Sequence, residues 1–434
     1  MPLFPRWFRL ACQLMMFFGS CMHRYVLILV AFAMLYACGG GGGSGVAPVN
    51  VLQLTGLPSP PAVSNELKVT VDSGVSGTGY NVNRLYTDVT ICTPGSTTQC
   101  QTIDHVLVDT GSTGLRLLAS VMAPALNLSR VSGTTGLPLL NCVNFIDNTY
   151  AWGPVALADV VLAGRTAAQL PIQVIADPVA SASSSACSTG GSPITTPLTL
   201  GAKGVLGIGL FKEDCGALCV RAGGNGVYFT CTTSSCSAVV GSTATFAQQV
   251  KNPVSQFSAD ANGLLIDLPA VTGAGLPSLT GKLIFGIGTQ SNNQAITEVV
   301  LTTDSVGRFT TQFGGQTMSR SFIDSGSNGL YFDSANIPLC GATSSDFYCP
   351  VSRINFSATL IGTNSSVSPV IAFSIDNASA LFASGMNTVL PGLGGDIGDA
   401  RVFDWGLPFF YGRRVFFGIE GQSSSIGTGP FYAF

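Results

Sequence analysis

The chain has 434 residues, enough for two or three ordinary domains, and only 9% of its side chains are charged. Its abundant Gly, Ser and Thr suit a β-rich exported protein better than a helical cytosolic one. All 22 acidic residues lie beyond Cys38, while three of the 19 basic ones (Arg6, Arg9, Arg24) precede it, so the remainder carries a net charge of about −6 and offers nucleic acid no basic face.

Residues 1–38 read as a targeting segment. An apolar run at 25–37 follows His23-Arg24, fits a signal core and is too short to span a bilayer comfortably. Its end, Leu35-Tyr36-Ala37-Cys38, resembles the lipobox of bacterial lipoproteins, which makes Cys38 the expected lipid anchor; an ordinary signal cut nearby is the alternative. Met22 is an alternative start, since every leader feature follows it. Residues 39–65 form a Gly/Pro-rich flexible tether. Short strands are predicted at 68–71 and 85–92, where apolar residues alternate at period two. At 106–120 an apolar run ends in Asp109-Thr110-Gly111-Ser112. Ten cysteines follow the leader: Cys92, Cys100, Cys142, Cys187, Cys215, Cys219, Cys231, Cys236, Cys340 and Cys349. An even count in an exported chain predicts five disulfides. Cys92–Cys100 and Cys340–Cys349 each close a short local loop; the connectivity within 215–236 stays open, and the spacings there do not suit a zinc ribbon. A short helix is predicted at 243–251, and a strand entering a hairpin at 370–376. At 321–334 an apolar lead again ends in Asp324-Ser325-Gly326-Ser327.

The two segments share the pattern Asp-[Thr/Ser]-Gly-Ser-[Thr/Asn]-Gly-Leu. The apolar leads place both carboxylates deep, Gly111 and Gly326 let the backbone turn where a Cβ would clash, and Thr110, Ser112, Ser325 and Ser327 offer hydroxyls to buried carboxylates. One copy would pass for a turn; two copies with matching flanks resemble the pepsin-type aspartic peptidases. That resemblance covers about residue 84 to the C-terminus, with gaps at 215–236 and 377–401. It implies a mainly β, bilobal acid-protease fold: two related β-barrel-like lobes, 66–272 with a cystine-rich insertion near 215–236, and 273–434, with the active site between them. It implies a catalytic pair, Asp109 and Asp324, with Thr110 and Ser325 reaching across to the opposite loop and Ser112 and Ser327 orienting the outer carboxylate oxygens. Tyr150, with Trp152 beside it, falls where the family has its substrate flap. The segments 204–210 and 405–417 resemble the apolar-Gly stretches that cross behind the Asp loops. Arg116 stands where the family often has Trp, which implies an unusual subsite, and the family's basic pro-segment is not visible.

Other chemistries fare worse. Only His105 follows the leader, so a two-His zinc motif is impossible, and at strand spacing His105 sits about 13 Å from Asp109, too far for a triad. No Gly-x-x-x-x-Gly-Lys-[Ser/Thr] loop occurs. The reading is an endopeptidase that needs no metal or cofactor and acts on protein or peptide substrates. It is expected to be monomeric and to touch the membrane only through its lipid, at the outer membrane, in the periplasm or at the cell surface. The alternatives are a binding or structural lipoprotein that keeps the lobes without turnover, and a glycosidase with the two Asp as its acid/base pair.

Overall fold

The computed structural model describes residues 64–180, 184–273, 275–296, 298–341 and 346–434. The expected leader with Cys38, and the tether up to residue 63, lie outside them. In chain order, β1 (Glu66–Val71) precedes a hairpin of β2 (Leu85–Cys92) and β3 (Cys100–Asp109), and β4 (Thr113–Leu118) leaves the first Asp loop. A meander of β5 (Leu139–Asn144), β6 (Thr149–Leu162) and β7 (Arg165–Ile175) follows, with β8 (Ser192–Pro193) alongside β6 and β9 (Gly204–Ile208) returning beneath the loop. Next come β10 (Tyr228–Cys231), β11 (Val239–Gly241), β12 (Gly263–Leu268), β13 (Leu279–Phe285) and β14 (Val300–Thr302). The second half holds β15 (Phe309–Phe313), β16 (Gln316–Ile323), β17 (Leu330–Phe332), β18 (Ile354–Ile361), β19 (Ile371–Ile375), β20 (Gly394–Gly395), β21 (Phe403–Trp405) and β22 (Arg413–Gly418). It closes with β23 (Ser423–Ser424), β24 (Gly427–Thr428) and β25 (Phe431–Ala433).

The fold is mainly β and repeats one device. In the first half β9 runs parallel to β3 from Val106 to Asp109 and antiparallel to β4, crossing behind the loop that joins them. In the second half β21 runs parallel to β16 at Phe322 and Ile323 and antiparallel to β17. Such a strand is covered on both sides, which is why Val106–Asp109 is buried at every position instead of alternating. Gly207 permits the crossing, because a Cβ there would lie 2.8 Å from the Gly114 backbone. Two barrel-like sheets thus each deliver one Asp loop, the bilobal arrangement expected. Between them runs β1-β13-β12-β22-β25-β14, with strands from both halves and β12–β13 pairing across residue 272. The first half packs Val, Leu and Ile. The second packs an aromatic block in which Phe332 stacks on Phe403 at 4.8 Å and Phe403 on Trp405 at 4.0 Å. Trp405 Nε1–H donates to Thr311 Oγ1 at 3.0 Å, so its polar edge is satisfied inside that block.

All ten cysteines pair: Cys92–Cys100, Cys142–Cys187, Cys215–Cys219, Cys231–Cys236 and Cys340–Cys349. This belongs to folding in an oxidising compartment. No helix among the described residues is long and apolar enough to cross a membrane.

Three expectations are corrected. Residues 243–251 make a single turn on Thr245 and no helix, because the next backbone groups are bound elsewhere: Val250 N–H donates to the Tyr228 hydroxyl and Lys251 N–H to Pro171 O. β19 closes a hairpin with the preceding β18 and then runs into a short helix, α1 (Ala378–Ala383), capped by the Asn377 side chain. Arg116 is no subsite residue. It is 1% exposed, with Nη2 on Asp214 Oδ2 at 3.1 Å and Nη1 on Thr113 O at 2.9 Å, beneath the first Asp loop. Asp214 is further satisfied by the Tyr228 hydroxyl at 2.6 Å and Asn141 Nδ2 at 2.9 Å.

Breaking a buried pair strands a charge, so Arg116→Met should cost about 3–5 kcal/mol in urea unfolding. Arg116→Met/Asp214→Asn, which removes the stranded charge, should lose less than the single variant. An equal or larger loss would mean that the pair does not hold the loop.

Candidate active site

Each Asp is the last buried residue before a loop, and the two loops face each other. Ser112 Oγ–H donates to Asp109 Oδ2 at 2.5 Å and Ser327 Oγ–H to Asp324 Oδ2 at 2.8 Å, fixing the outer oxygens. Inside, Gly111 N–H reaches both Asp109 Oδ1, at 2.9 Å, and Asp324 Oδ1, at 3.0 Å. One donor shared by two oxygens brings the inner edges of the carboxylates together. Gly326 N–H donates to Asp324 Oδ1 at 2.7 Å.

The loops are cross-braced below. Thr110 N–H donates to Ser325 Oγ at 3.2 Å, Ser325 N–H to Thr110 Oγ1 at 2.9 Å, and Ser325 Oγ–H to Val108 O at 2.8 Å. The glycines serve proximity more than turning, since neither has a left-handed φ. A Cβ on Gly111 would sit 2.5 Å from Asp324 Cγ, and one on Gly326 would sit 2.6 Å from Asp109 Oδ1. Both positions are therefore closed to any side chain.

Both carboxylates are nearly buried, at 6% and 9% exposure. Burial first, and then the neighbouring Asp324 charge, pushes the Asp109 carboxyl far above the usual carboxylate range, against the pull of the Ser112 hydroxyl. Like charges this close cannot both ionise, so the pair keeps a proton where isolated carboxyls would have lost it. The arrangement can therefore take a proton at one oxygen while giving one at another.

Sequence reasoning missed a third acid. Asp404, on β21 opposite Phe322 and Tyr331, is 1% exposed, and neither of its oxygens has a hydrogen-bond partner among the described residues. Burial first, then Asp324, raises its pKa well above the usual range, so it sits neutral behind the pair. Its only trace in the sequence is a lone acid between Phe403 and Trp405, just ahead of the segment 405–417.

Tyr150 and Trp152 are not brought to the carboxylates. Both are buried with Phe229 and the Cys142–Cys187 bridge, and Trp152 Nε1–H donates to Ala180 O at 3.3 Å. The cause is the cystine insertion: β10 pairs with β5 and lays Phe229 over the face that holds them. What the β5–β6 hairpin presents is its tip, residues 145–148, with Ile146 66% exposed. The Tyr331 hydroxyl is pushed up by burial first and then by Asp404, and Asp147 at the tip is among the weaker charges acting on it. At the second loop Tyr331 donates to Asn328 Oδ1 at 2.5 Å.

A cavity of about 210 Å³ opens beside the first loop, between Thr110–Thr113, Leu210 and Phe211 on one side and Val306, Arg308, Phe322 and Tyr432 on the other. Groups of His, Cys, Asp and Glu suited to holding a metal are absent among the described residues.

Residues 61–434 match the model of a family described as a protein of unknown function, DUF3443. No curated protein matches the chain. Among solved structures, it is similar to the crystal structure of the aspartic proteinase from Irpex lacteus, at a TM-score of 0.48 and 14% identity over 85% of this chain and 96% of that one.

The raised carboxyls set a sign for stability against pH. The Asp109–Asp324 pair and Asp404 hold protons in the folded state that the unfolded chain loses at about pH 4, so their contribution is complete below that pH and is lost as pH climbs through the raised values. Melting temperature should accordingly fall on going from acid to neutral pH, with a slope of up to about 1.4 kcal/mol per pH unit for each proton. Asp109→Asn and Asp404→Asn should each flatten that slope in thermal melts. A slope unchanged by both variants would mean that neither carboxyl is held protonated.

Proposed function

Because the chain belongs to the protein family of unknown function DUF3443, its activity has to be read from its own site, and we propose that it is an aspartic endopeptidase in which Asp109 and Asp324 act as one acid–base pair. One contact carries the reading: the Gly111 N–H bonded at once to the inner oxygens of both carboxylates. Two inner oxygens held side by side can both bind one water. In the state with a single shared proton, the ionised carboxylate takes a proton from that water as its oxygen attacks the peptide carbonyl carbon. The protonated partner gives its proton to the carbonyl oxygen, yielding a neutral tetrahedral diol. On collapse the C–N bond breaks, the leaving nitrogen receives a proton from the pair, and a diol hydroxyl returns the other. The proton count on the pair is restored, and the enzyme needs no covalent intermediate. Which Asp holds the shared proton is a property of the pair, which titrates as a unit.

The support is directional. Ser112 and Ser327 neutralise the outer oxygens and leave the inner ones for water. The Thr110–Ser325 brace fixes the loops, so little reorganisation is needed as charge moves. Residues 145–148 would cover bound substrate in place of the buried Tyr150 and Trp152. The reading extends to an exported protein tethered by a lipid on Cys38.

Asp109→Asn and Asp324→Asn should each lower cleavage of casein or a peptide library by about 10⁴-fold or more while the fold melts as before. The double variant should be little worse than either single one, because the residues act together. The pH–rate profile of the unmodified enzyme should be bell-shaped. If Asp324→Asn kept most of its activity, cleavage would not depend on the pair and the aspartic-peptidase reading would fail; an unmodified protein that cut none of these substrates would leave the binding lipoprotein in its place.

For the anchor, labelled palmitate should enter the unmodified protein and be lost in Cys38→Ser. Equal labelling of the variant would exclude lipidation at that residue.

A further inference from the structure

The cavity beside the first Asp loop has a chemistry of its own. No Asp or Glu lines it, and its one cationic group is Arg308, a half-buried residue just before β15. The Arg308 guanidinium has no hydrogen-bond or ion-pair partner among the described residues; only its backbone is engaged, N–H by Asp304 Oδ1 at 2.8 Å and C=O by Asp304 N–H at 2.9 Å. Asp304, the nearest acid along the chain, is exposed and turns the same oxygen to the Val306 N–H at 2.9 Å. It is thus committed to its own loop. The other ionisable group on the wall, Tyr432, donates its hydroxyl to Gly307 O at 3.0 Å and is spent there. Leu210, Phe211 and Phe322 supply apolar walls around this open cation. The cavity abuts the candidate catalytic pair directly, because Ser112, whose hydroxyl holds Asp109 Oδ2, lines it.

We infer that this cavity is a side-chain subsite for an acidic residue of the substrate, with Arg308 as the group that selects it. The inference rests on the endopeptidase reading for its meaning as cleavage specificity. A Glu side chain suits the shape: its methylenes meet the apolar walls and its carboxylate reaches a guanidinium whose donors are free. That bond is charge-assisted and formed away from bulk water, where such bonds are strongest. A Lys at the same substrate position would bring two cations together without a counter-charge. Electrostatic selection of this kind weakens with salt, because ions screen a half-open site.

The test is a mixture of peptides identical except for Glu, Gln or Lys at each position flanking the cleaved bond, with products read by mass spectrometry. At one fixed position Glu should be favoured over Lys by about tenfold or more, a difference of about 1.4 kcal/mol. Arg308→Gln should level the three, and Arg308→Glu should reverse the order. The same ratio in the unmodified enzyme and in Arg308→Gln overturns the inference. A pH profile shifted equally for all three peptides, with the ratio unchanged, also overturns it, since that is the mark of an Arg acting on the carboxylate pair from a distance. Binding of the same peptides to the Asp109→Asn protein, followed by fluorescence anisotropy, separates this inference from the peptidase reading. A Glu-over-Lys preference that depends on Arg308 supports the subsite even if nothing is cleaved; equal binding of all three overturns it even if the enzyme is active.

Discussion

Two nearly buried carboxylates sharing one donor are the constraint on which the rest depends. Bringing like charges together away from water is unfavourable twice over, through lost hydration and through repulsion. The chain meets this with fixed donors: hydroxyls on the outer oxygens and backbone N–H groups on the inner ones. Donors do this only if nothing separates the loops, which explains the two glycines whose missing side chains leave room for the opposite carboxylate. The reciprocal Thr110–Ser325 bonds then fix the spacing from below. A motif that reads locally as a turn is half of a contact made 215 residues away.

Behind the loops the structure spends its polar groups on rigidity. β9 and β21 each brace a loop by parallel pairing with the strand that enters it. Arg116 and Asp214 tie the first loop to β10 through Tyr228 and to β5 through Asn141. Asn83 does a similar service between the halves. Its Nδ2 donates to Asn328 O and Leu390 O, both at 2.8 Å, and its Oδ1 accepts from Leu390 N–H at 2.7 Å and the Tyr411 hydroxyl at 2.8 Å. That uses the full capacity of a side-chain amide. Asn328 follows the second Asp motif directly, so this buried amide fixes the second loop to the first half of the chain.

What was legible in the sequence was whatever has a short-range cause. The Asp motifs, the crossing segments at 204–210 and 405–417 and the local disulfides Cys92–Cys100 and Cys340–Cys349 follow from neighbours a few residues apart. The misreadings share one origin, which is that the partner is remote. Arg116 reads as a subsite residue until Asp214 is found beneath it. Tyr150 and Trp152 read as flap residues until β10 covers them. Residues 243–251 have helical composition, but their backbone groups are claimed by Tyr228 and Pro171. Asp404 was passed over because an acid inside an apolar run carries no local mark of what it faces. The two-lobed fold was more legible than the residues that tune its site, since a fold repeats its pattern and a tuning residue occurs once.

The cystine insertion has a consequence for how such a site would close. In a hairpin free along its length, closure over a ligand would bend both strands. Here β5 is fixed on one edge by β10 and cross-linked through Cys142–Cys187 to residues 185–188, and β6 is held over one face by the packing of Trp152 against Phe229. A closed loop of this length restricts the unfolded chain and any partial opening of the segment alike. The segment beyond these restraints is residues 145–148, which carries exposed Ile146 and is held at its end where Ser192 N–H donates to Asn148 O at 3.0 Å. Any movement of the hairpin is therefore confined to the tip, which is short and partly apolar. The site then depends on its fixed walls for discrimination, and among those walls the unpaired charge of Arg308 is the one with a sign.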